Sequence, residues 1–324
     1  MTKNRRQNME QFVFGIDIGG TSVKCGLFTA DGTVKDKWEI PTDRTDGGKN
    51  VPQDIANAIN AKCEELGIAK EQVAGVGLGV PGPVKENGYV DHCPNLAWRD
   101  INVNEVMTGL LGVPAVAAND ANVAALGEMW KGGGAGVKNL VLVTLGTGVG
   151  GGIIVEGKIV AGAFGAGGEL GHMVMNPQET VQCGCGGYGH LEQYASATGI
   201  VRMAKKRLAE TEDASALRSI EPLTAKDIFD QAKAGDAVAA ELVEELGEVL
   251  GRALSHVAAV TDPEAFVIGG GVSRAGEILT ETVERHYNKG IMKALQGKEF
   301  RLATLGNDAG IYGCAKLILD RLEK

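Results

Sequence analysis

Short apolar runs that end in glycine recur along the chain, and between them lie longer stretches with helical spacing. Phe12 to Ile18 (FVFGIDI) runs into GGT, and Lys24 to Phe28 is a second run closed by the turn pair Asp31-Gly32. The pattern predicts strand, glycine turn and strand, with a further strand around Trp38. Pro52 to Leu66 puts Ile55, Ala58, Ile59 and Cys63 at helical spacing, with Pro52 suited to a first turn. Val73 to Val80 predicts a Gly-rich buried strand, broken by Pro81-Gly82-Pro83. Pro114 to Ala118 predicts another strand, which enters Asn119-Asp120 and then a helix to about Trp130. The Gly-rich KGGGAGVKN follows and is the candidate hinge or domain boundary. LVLVTLGTGVGGGIIV repeats the apolar run, glycine turn and apolar run, and VEGKIV extends it through a turn at Glu156-Gly157. Leu191 to Leu208 and Asp236 to Val260 read as helices. Pro263 to Gly271 reads as a strand ending in three glycines, Arg301 to Leu305 as a last strand, and Asp308 to Leu322 as a closing amphipathic helix. Strands alternating with helices make the class α/β. GIDIGGTSVKCGLF and TLGTGVGGGIIV resemble each other, a weak internal repeat that reads as two similar lobes facing each other.

Composition narrows the partners. The 324 residues allow two domains, and 44% hydrophobic with 23% charged residues is ordinary globular usage. The net charge of -9 argues against a nucleic-acid partner, which favours a basic face. The 48 glycines cluster in short runs without a period, pointing to tight turns and close backbone approach. Cys25, Cys63, Cys93 and Cys314 are scattered, and only Cys183 and Cys185 are close, so no disulfide framework is expected. MTKNRRQNMEQ lacks the apolar centre of a signal peptide, and no run reaches the ~20 apolar residues of a membrane helix. A soluble cytoplasmic protein is expected.

Three glycine turns can wrap phosphate with backbone N–H groups. DIGGTSVK gathers Asp17, Gly19, Gly20, Thr21 and Lys24. Asp17 can hold Mg²⁺ through water, and Lys24 adds charge. Gly146, Thr147 and Gly148 form a second turn, and Gly269, Gly270 and Gly271 a third between strand and helix. Any one of them also reads as an ordinary tight turn. No G-x-x-x-x-G-K-[ST] occurs, which excludes a P-loop. Gly77, Gly79 and Gly82 satisfy G-x-G-x-x-G, but prolines and a polar run follow where a dinucleotide site needs a helix. That stretch is either a cramped loop or one whose backbone approaches a ligand. Asn119-Asp120 reads as a helix N-cap, or as a carboxylate at a cleft mouth acting as general base. From Gly168 to Glu192 the spacing H-x10-C-x-C-x4-H places His172, Cys183, Cys185 and His190 in a glycine-rich loop, a set suited to tetrahedral Zn²⁺. Glu169 and Glu192 flank it and can hydrogen-bond a polyol.

DIGGTSVK, GVPGPV, NDANVAALGE, LGTGVGGG, GELGH, CGCGGYGHLE and IGGGVS, in this order from Phe12 onward, resemble the ROK family, and more closely its bacterial glucokinases. The resemblance implies an actin-like (ribonuclease H-like) fold with two lobes around a cleft. The N-terminal lobe would be 1–122 plus 308–324, and the C-terminal lobe 123–307, with the zinc loop at 168–192. DIGGT and LGTG would hold the ATP phosphates with Mg²⁺, and IGGG would lie near adenosine. Asp120 would be the catalytic base. Asn119, Glu169, His172 and Glu192 would hydrogen-bond glucose, with the Gly82 backbone nearby. His172 would bind zinc through one nitrogen and face the sugar with the other, and Cys183 and Cys185 would be further ligands. His190 stands where the family has a third cysteine, so a Cys₂His₂ set is expected. The implied activity is transfer of the ATP γ-phosphoryl group to the 6-hydroxyl of glucose by a homodimer. The rivals are a kinase for fructose, mannose or an N-acetylated hexosamine, a sugar-responsive repressor, and a filament-forming actin relative, which would need neither sugar carboxylates nor a zinc loop. The repressor would need a helix-turn-helix segment ahead of DIGGT.

Overall fold

The structure is a computed structural model and describes residues 10–323. The N-terminal stretch read as lacking a signal peptide lies outside these residues, apart from Glu10 and Gln11. In chain order the elements are β1 (Phe12–Ile18), β2 (Ser22–Thr29), β3 (Val34–Pro41), α1 (Val51–Leu66), β4 (Val73–Val80), β5 (Tyr89–Cys93), β6 (Trp98–Asn102), α2 (Val103–Leu111), β7 (Ala115–Asn119) and α3 (Asp120–Lys131). There follow β8 (Leu140–Leu145), β9 (Val149–Val155), β10 (Lys158–Ile159), α4 (Glu192–Ala195), α5 (Ala197–Glu210), α6 (Ala225–Lys233), α7 (Ala237–Thr261), β11 (Ala265–Gly269), α8 (Glu277–Gly290), β12 (Glu299–Leu302) and α9 (Ala309–Leu322).

The chain divides into two compact units. One comprises Met1–Gly136, Gly152–Gly168 and Asn307–Lys324, of which residues 10–323 are described; the other comprises Val137–Gly151 and Glu169–Gly306. The first break falls inside KGGGAGVKN rather than at 122. An end at 122 would cut α3, which packs along α9 within the first unit.

The first unit is built on a sheet of order β3-β2-β1-β4-β7, antiparallel from β3 to β1 and parallel from β1 to β7. Alternation sorts its side chains. Phe14, Ile16 and Ile18 join Ile55 and Ile59 of α1 in one buried cluster, while Val13 and Phe28 meet Ile311, Ala315 and Ile318 of α9 in another. Glycine lets α9 lie directly on the strands: a methyl at Gly15 would stand 3.0 Å from the Ala315 nitrogen, and one at Gly77 2.6 Å from the Cys314 carbonyl carbon. The G-x-G of β4 therefore seats α9, with Gly77 against the Cys314 backbone.

In the second unit β8, β11 and β12 run parallel, with Ala265 opposite Leu140 and Glu299. β8 and β11 are buried along nearly their whole length and read as continuous apolar runs, while β12 at the edge carries Glu299 and Arg301. α7 buries Leu242, Leu246, Leu250 and Leu254 on one stripe. Phe266, Tyr287 and Phe300 form an aromatic cluster with centroids 5.1–5.5 Å apart. The helix expected over 191–208 is two helices, because the Ser196 side chain caps α5 by accepting the Gly199 N–H at 2.9 Å. The last strand starts earlier than expected, at Glu299, and ends at Leu302. The β5–β6 hairpin, α2 and α6 had no counterpart in the sequence reading. Among the described residues no helix is long and apolar enough to cross a membrane.

Candidate active site

The strand ends carry the chemistry. At the end of β1 the turn Gly19 to Thr21 closes when the Gly19 N–H donates to the Ser22 carbonyl at 2.9 Å. Thr42, just past β3, pins the turn: its hydroxyl donates to the Gly19 carbonyl at 2.7 Å and its N–H to the Thr21 carbonyl at 3.0 Å. The Gly19 amide is thus spent inside the turn. Asp17 lies beneath the start of α9, where a methyl on Gly310 would come within 2.5 Å of its carboxyl carbon. Burial holds the Asp17 carboxyl above its ordinary value, and Lys24, its register partner, pulls it partly back. The Lys24 ammonium reaches the Asn307 carbonyl at 3.4 Å.

At the end of β7, Asn119 caps α3. Its side-chain oxygen accepts the Asn122 N–H at 3.1 Å and its amide donates to the Gly82 carbonyl at 3.2 Å. Asn119 is buried, so one side chain fixes both the helix start and the Pro81-Gly82-Pro83 turn. Asp120 is the first residue of α3 and is half-buried, and its Oδ1 accepts the Ala121 N–H at 2.8 Å. The capping role weighed for this pair belongs to Asn119, which leaves Asp120 as the residue with a carboxylate at the strand end.

In the second unit the turn after β8 is closed by the Gly146 N–H on the Gly148 carbonyl at 2.9 Å. The start of α5 braces it: the Ala197 N–H donates to the Gly146 carbonyl at 2.8 Å, and the Thr198 hydroxyl to the Thr147 carbonyl at 2.6 Å. No local spacing ties Ala197 and Thr198 to a turn fifty residues earlier, so their bracing of it is visible only in the structure. Gly269 pairs in register with Thr144, and Gly270 adopts φ 81° against the Leu145 backbone, where a methyl would stand 2.6 Å from its nitrogen. The second and third glycine turns are therefore neighbours at the ends of parallel strands, the usual place for a ligand in such sheets.

The loop between Glu169 and Glu192 is tied by Met175 N–H to the Gly189 carbonyl at 2.7 Å and Cys183 N–H to the Gly187 carbonyl at 2.8 Å. These ties gather His172, Cys183, Cys185 and His190, one donor atom from each lying within 4.8 Å of all the others. Zinc bonds of about 2.0–2.3 Å put tetrahedral ligands roughly 3.3–3.8 Å apart, so the set needs only a small contraction. His190 Nδ1 and Cys185 Sγ are already 3.2 Å apart. His172 Nδ1 is buried and has no hydrogen-bond partner, the vacancy a metal would fill. Its Nε2 lies 3.9 Å from Glu169 Oε2. Burial pushes the Cys183 thiol up, so a nearby cation is needed to hold it as thiolate. The residues present thus fit a zinc ion. The Oε2 of Glu192 accepts the Val149 N–H at 3.1 Å and its Oε1 faces Cys183 Sγ at 3.4 Å.

The first unit thus carries one glycine turn and the Asn119-Asp120 pair at its strand ends, and the second carries two glycine turns and the Cys/His loop. The sequence matches the model of the ROK family over residues 13–321. It is 41% identical over 314 residues to a glucokinase of Halalkalibacterium halodurans, covering 95% of each chain. It is 37% identical over 316 residues to a glucokinase of Streptomyces coelicolor, covering 94% of this chain and 96% of that one. Among solved structures it is similar to a ROK family glucokinase from Streptomyces griseus in complex with glucose and AMPPNP, with a TM-score of 0.71, 34% identity, and 94% and 98% of the two chains covered. The chain belongs to the ROK family. Its fold is the actin-like α/β class expected from the sequence.

Proposed function

We propose that this chain is an ATP-dependent glucokinase, transferring the γ-phosphoryl group of ATP to the 6-hydroxyl of glucose to give glucose 6-phosphate and ADP. The observation that carries the reading is similarity along the full chain to glucokinases, one of them solved with glucose and AMPPNP. Phosphoryl transfer through a loose transition state asks mainly for positioning and charge neutralisation. The amides of Gly20 and Thr21, and the turn at Gly146, Thr147 and Gly148, are assigned to the phosphates, with Lys24 adding charge. Gly269, Gly270 and Gly271 are assigned to the nucleoside side. Asp17, a buried carboxylate held up by desolvation, is the residue that would hold Mg²⁺ through water, and the ion would neutralise charge on the phosphates.

Asp120 is assigned as the base that orients the 6-hydroxyl and takes its proton late. Its support is a fixed place at the head of α3, held by the Asn119 cap. Asn119, the Gly82 backbone, Glu169, His172 through Nε2, and Glu192 are assigned to the sugar hydroxyls. His172 Nδ1, Cys183, Cys185 and His190 would hold zinc, which braces the loop and supplies no step of the transfer. The deciding experiment is a coupled assay over a sugar panel with ATP. Glucose is expected to have the highest kcat/KM, and a higher value for fructose, mannose or an N-acetylated hexosamine would overturn the sugar assignment.

A homodimer, with neither nucleic acid nor membrane as partner, completes the proposal. It rests on the family resemblance, and light scattering on a purified sample showing monomer alone would refute the dimer. A cytoplasmic location is proposed on the six free cysteines, which suit a reducing compartment.

A further inference from the structure

Inside the second unit, one carboxylate touches both the Cys/His loop and the phosphate turn. Glu192 Oε2 accepts the Val149 N–H at 3.1 Å, directly after the Gly146–Gly148 turn. A methyl on Gly148 would overlap this carboxylate and stand 3.0 Å from its Cδ. The turn itself is braced, because Ala197 and Thr198 hold its Gly146 and Thr147 carbonyls. Its other end is fixed by the Gly146–Gly148 bond. A negative group therefore rests on an amide at the edge of a turn shaped for a phosphate. Carboxylate and phosphate are both acceptors for that amide and repel each other at such range.

We infer that Glu192 is a positioning residue that couples sugar binding to nucleotide binding. Without sugar its carboxylate occupies the Val149 amide beside Gly148, and a sugar hydroxyl draws it off, opening the turn to the terminal phosphate of the nucleotide. The inference rests on the glucokinase reading and adds an order to it. Glucose loads first or tightens the nucleotide, and the sugar-free enzyme holds the phosphate poorly. Water is then a weaker rival acceptor, because the donor is seated fully only when a hydroxyl is present.

The test is calorimetric titration of the full chain with Mg²⁺ and AMPPNP, with and without saturating glucose. Coupling between sites commonly amounts to about 5–150-fold, and a tightening of roughly tenfold by glucose is expected for the wild type. Glu192→Ala should bind the nucleotide without glucose about as tightly as the wild type does with it, and glucose should then add little. Glu192→Gln, which keeps the volume and loses the charge, should move in the same direction and decides the matter if the alanine variant does not fold. A wild type with no glucose effect on nucleotide affinity would overturn the inference. So would Glu192 variants whose sugar-free affinity is unchanged or weaker. Those results leave the glucokinase reading standing if glucose is still phosphorylated. Failure of the wild type to phosphorylate glucose would remove that reading whatever the titrations gave.

Discussion

The crossing of α3 and α9 makes the most exacting test of the structure, since it tolerates no side chain at Gly313. An added methyl there would overlap the Val123 carbonyl of α3 and stand 3.0 Å from the Gly127 nitrogen. Both obstructions are main chain, so no rotamer can relieve them, and the helices must part. Overpacking of this kind costs typically 1–3 kcal/mol and occasionally more, against about 1 kcal/mol returned by replacing a helical glycine. With rigid backbone on both sides the cost is placed above that typical range, at about 4 kcal/mol, which leaves a net loss of about 3 kcal/mol for Gly313→Ala. That is roughly 150-fold in the folding equilibrium and a fall in Tm on the order of 6–12 °C. Activity should fall too, because Asp120 is the first residue of α3, and a misplacement near 1 Å can cost about 10²-fold. Gly109→Ala in α2 is the control, since an added methyl there meets nothing within 4 Å. It should gain roughly 0.4–1 kcal/mol through the unfolded state. Urea unfolding and the glucose assay on both variants read the outcome. If Gly313→Ala melts within about 2 °C of the wild type with normal turnover, the close helix crossing is wrong.

Asp120→Asn should keep glucose binding by calorimetry while turnover falls by about 10² or more; near-normal turnover would remove Asp120 from the proton transfer. Elemental analysis should find one zinc per chain, and His190→Ala should lower that content and the hydrogen-exchange protection of residues 172–190. Full zinc content in the variant would take His190 out of the ligand set. Asp17 has its folded pKa raised by burial, so its contribution to stability is present below its unfolded value and is lost as pH rises through the folded one. In the metal-free protein Asp17→Asn should therefore melt higher than the wild type at pH 7, by a margin that shrinks below about pH 4, while turnover drops. A variant less stable at pH 7 would contradict the assigned burial cost.

Local pattern made much of this chain readable. Short apolar runs bounded by glycine turns marked β1, β2, β4, β8 and β11, because a run of that length between turn residues reads as a buried strand. The H-x10-C-x-C-x4-H spacing marked the four residues that the structure gathers, since a glycine-rich loop of that length can close on itself. What stayed hidden depended on partners far along the chain. Gly77 and Gly79 looked like part of a dinucleotide motif, and only the arrival of α9, more than two hundred residues later, explains the missing side chain at Gly77. Helical spacing ran smoothly through Ser196, whose capping bond to Gly199 splits the segment.

By itself, then, the order of residues determined the elements, the Asn-Asp pair at a strand end and the metal-type loop, because each depends on groups within some twenty positions of one another. The tertiary structure alone decided that Asn119 is the cap, that Thr42, Ala197 and Thr198 hold the glycine turns, and that the Glu192 carboxylate rests on the Val149 amide. The reason is physical. A hydrogen bond between distant segments is specified by how whole elements pack, and no short window of sequence contains both partners.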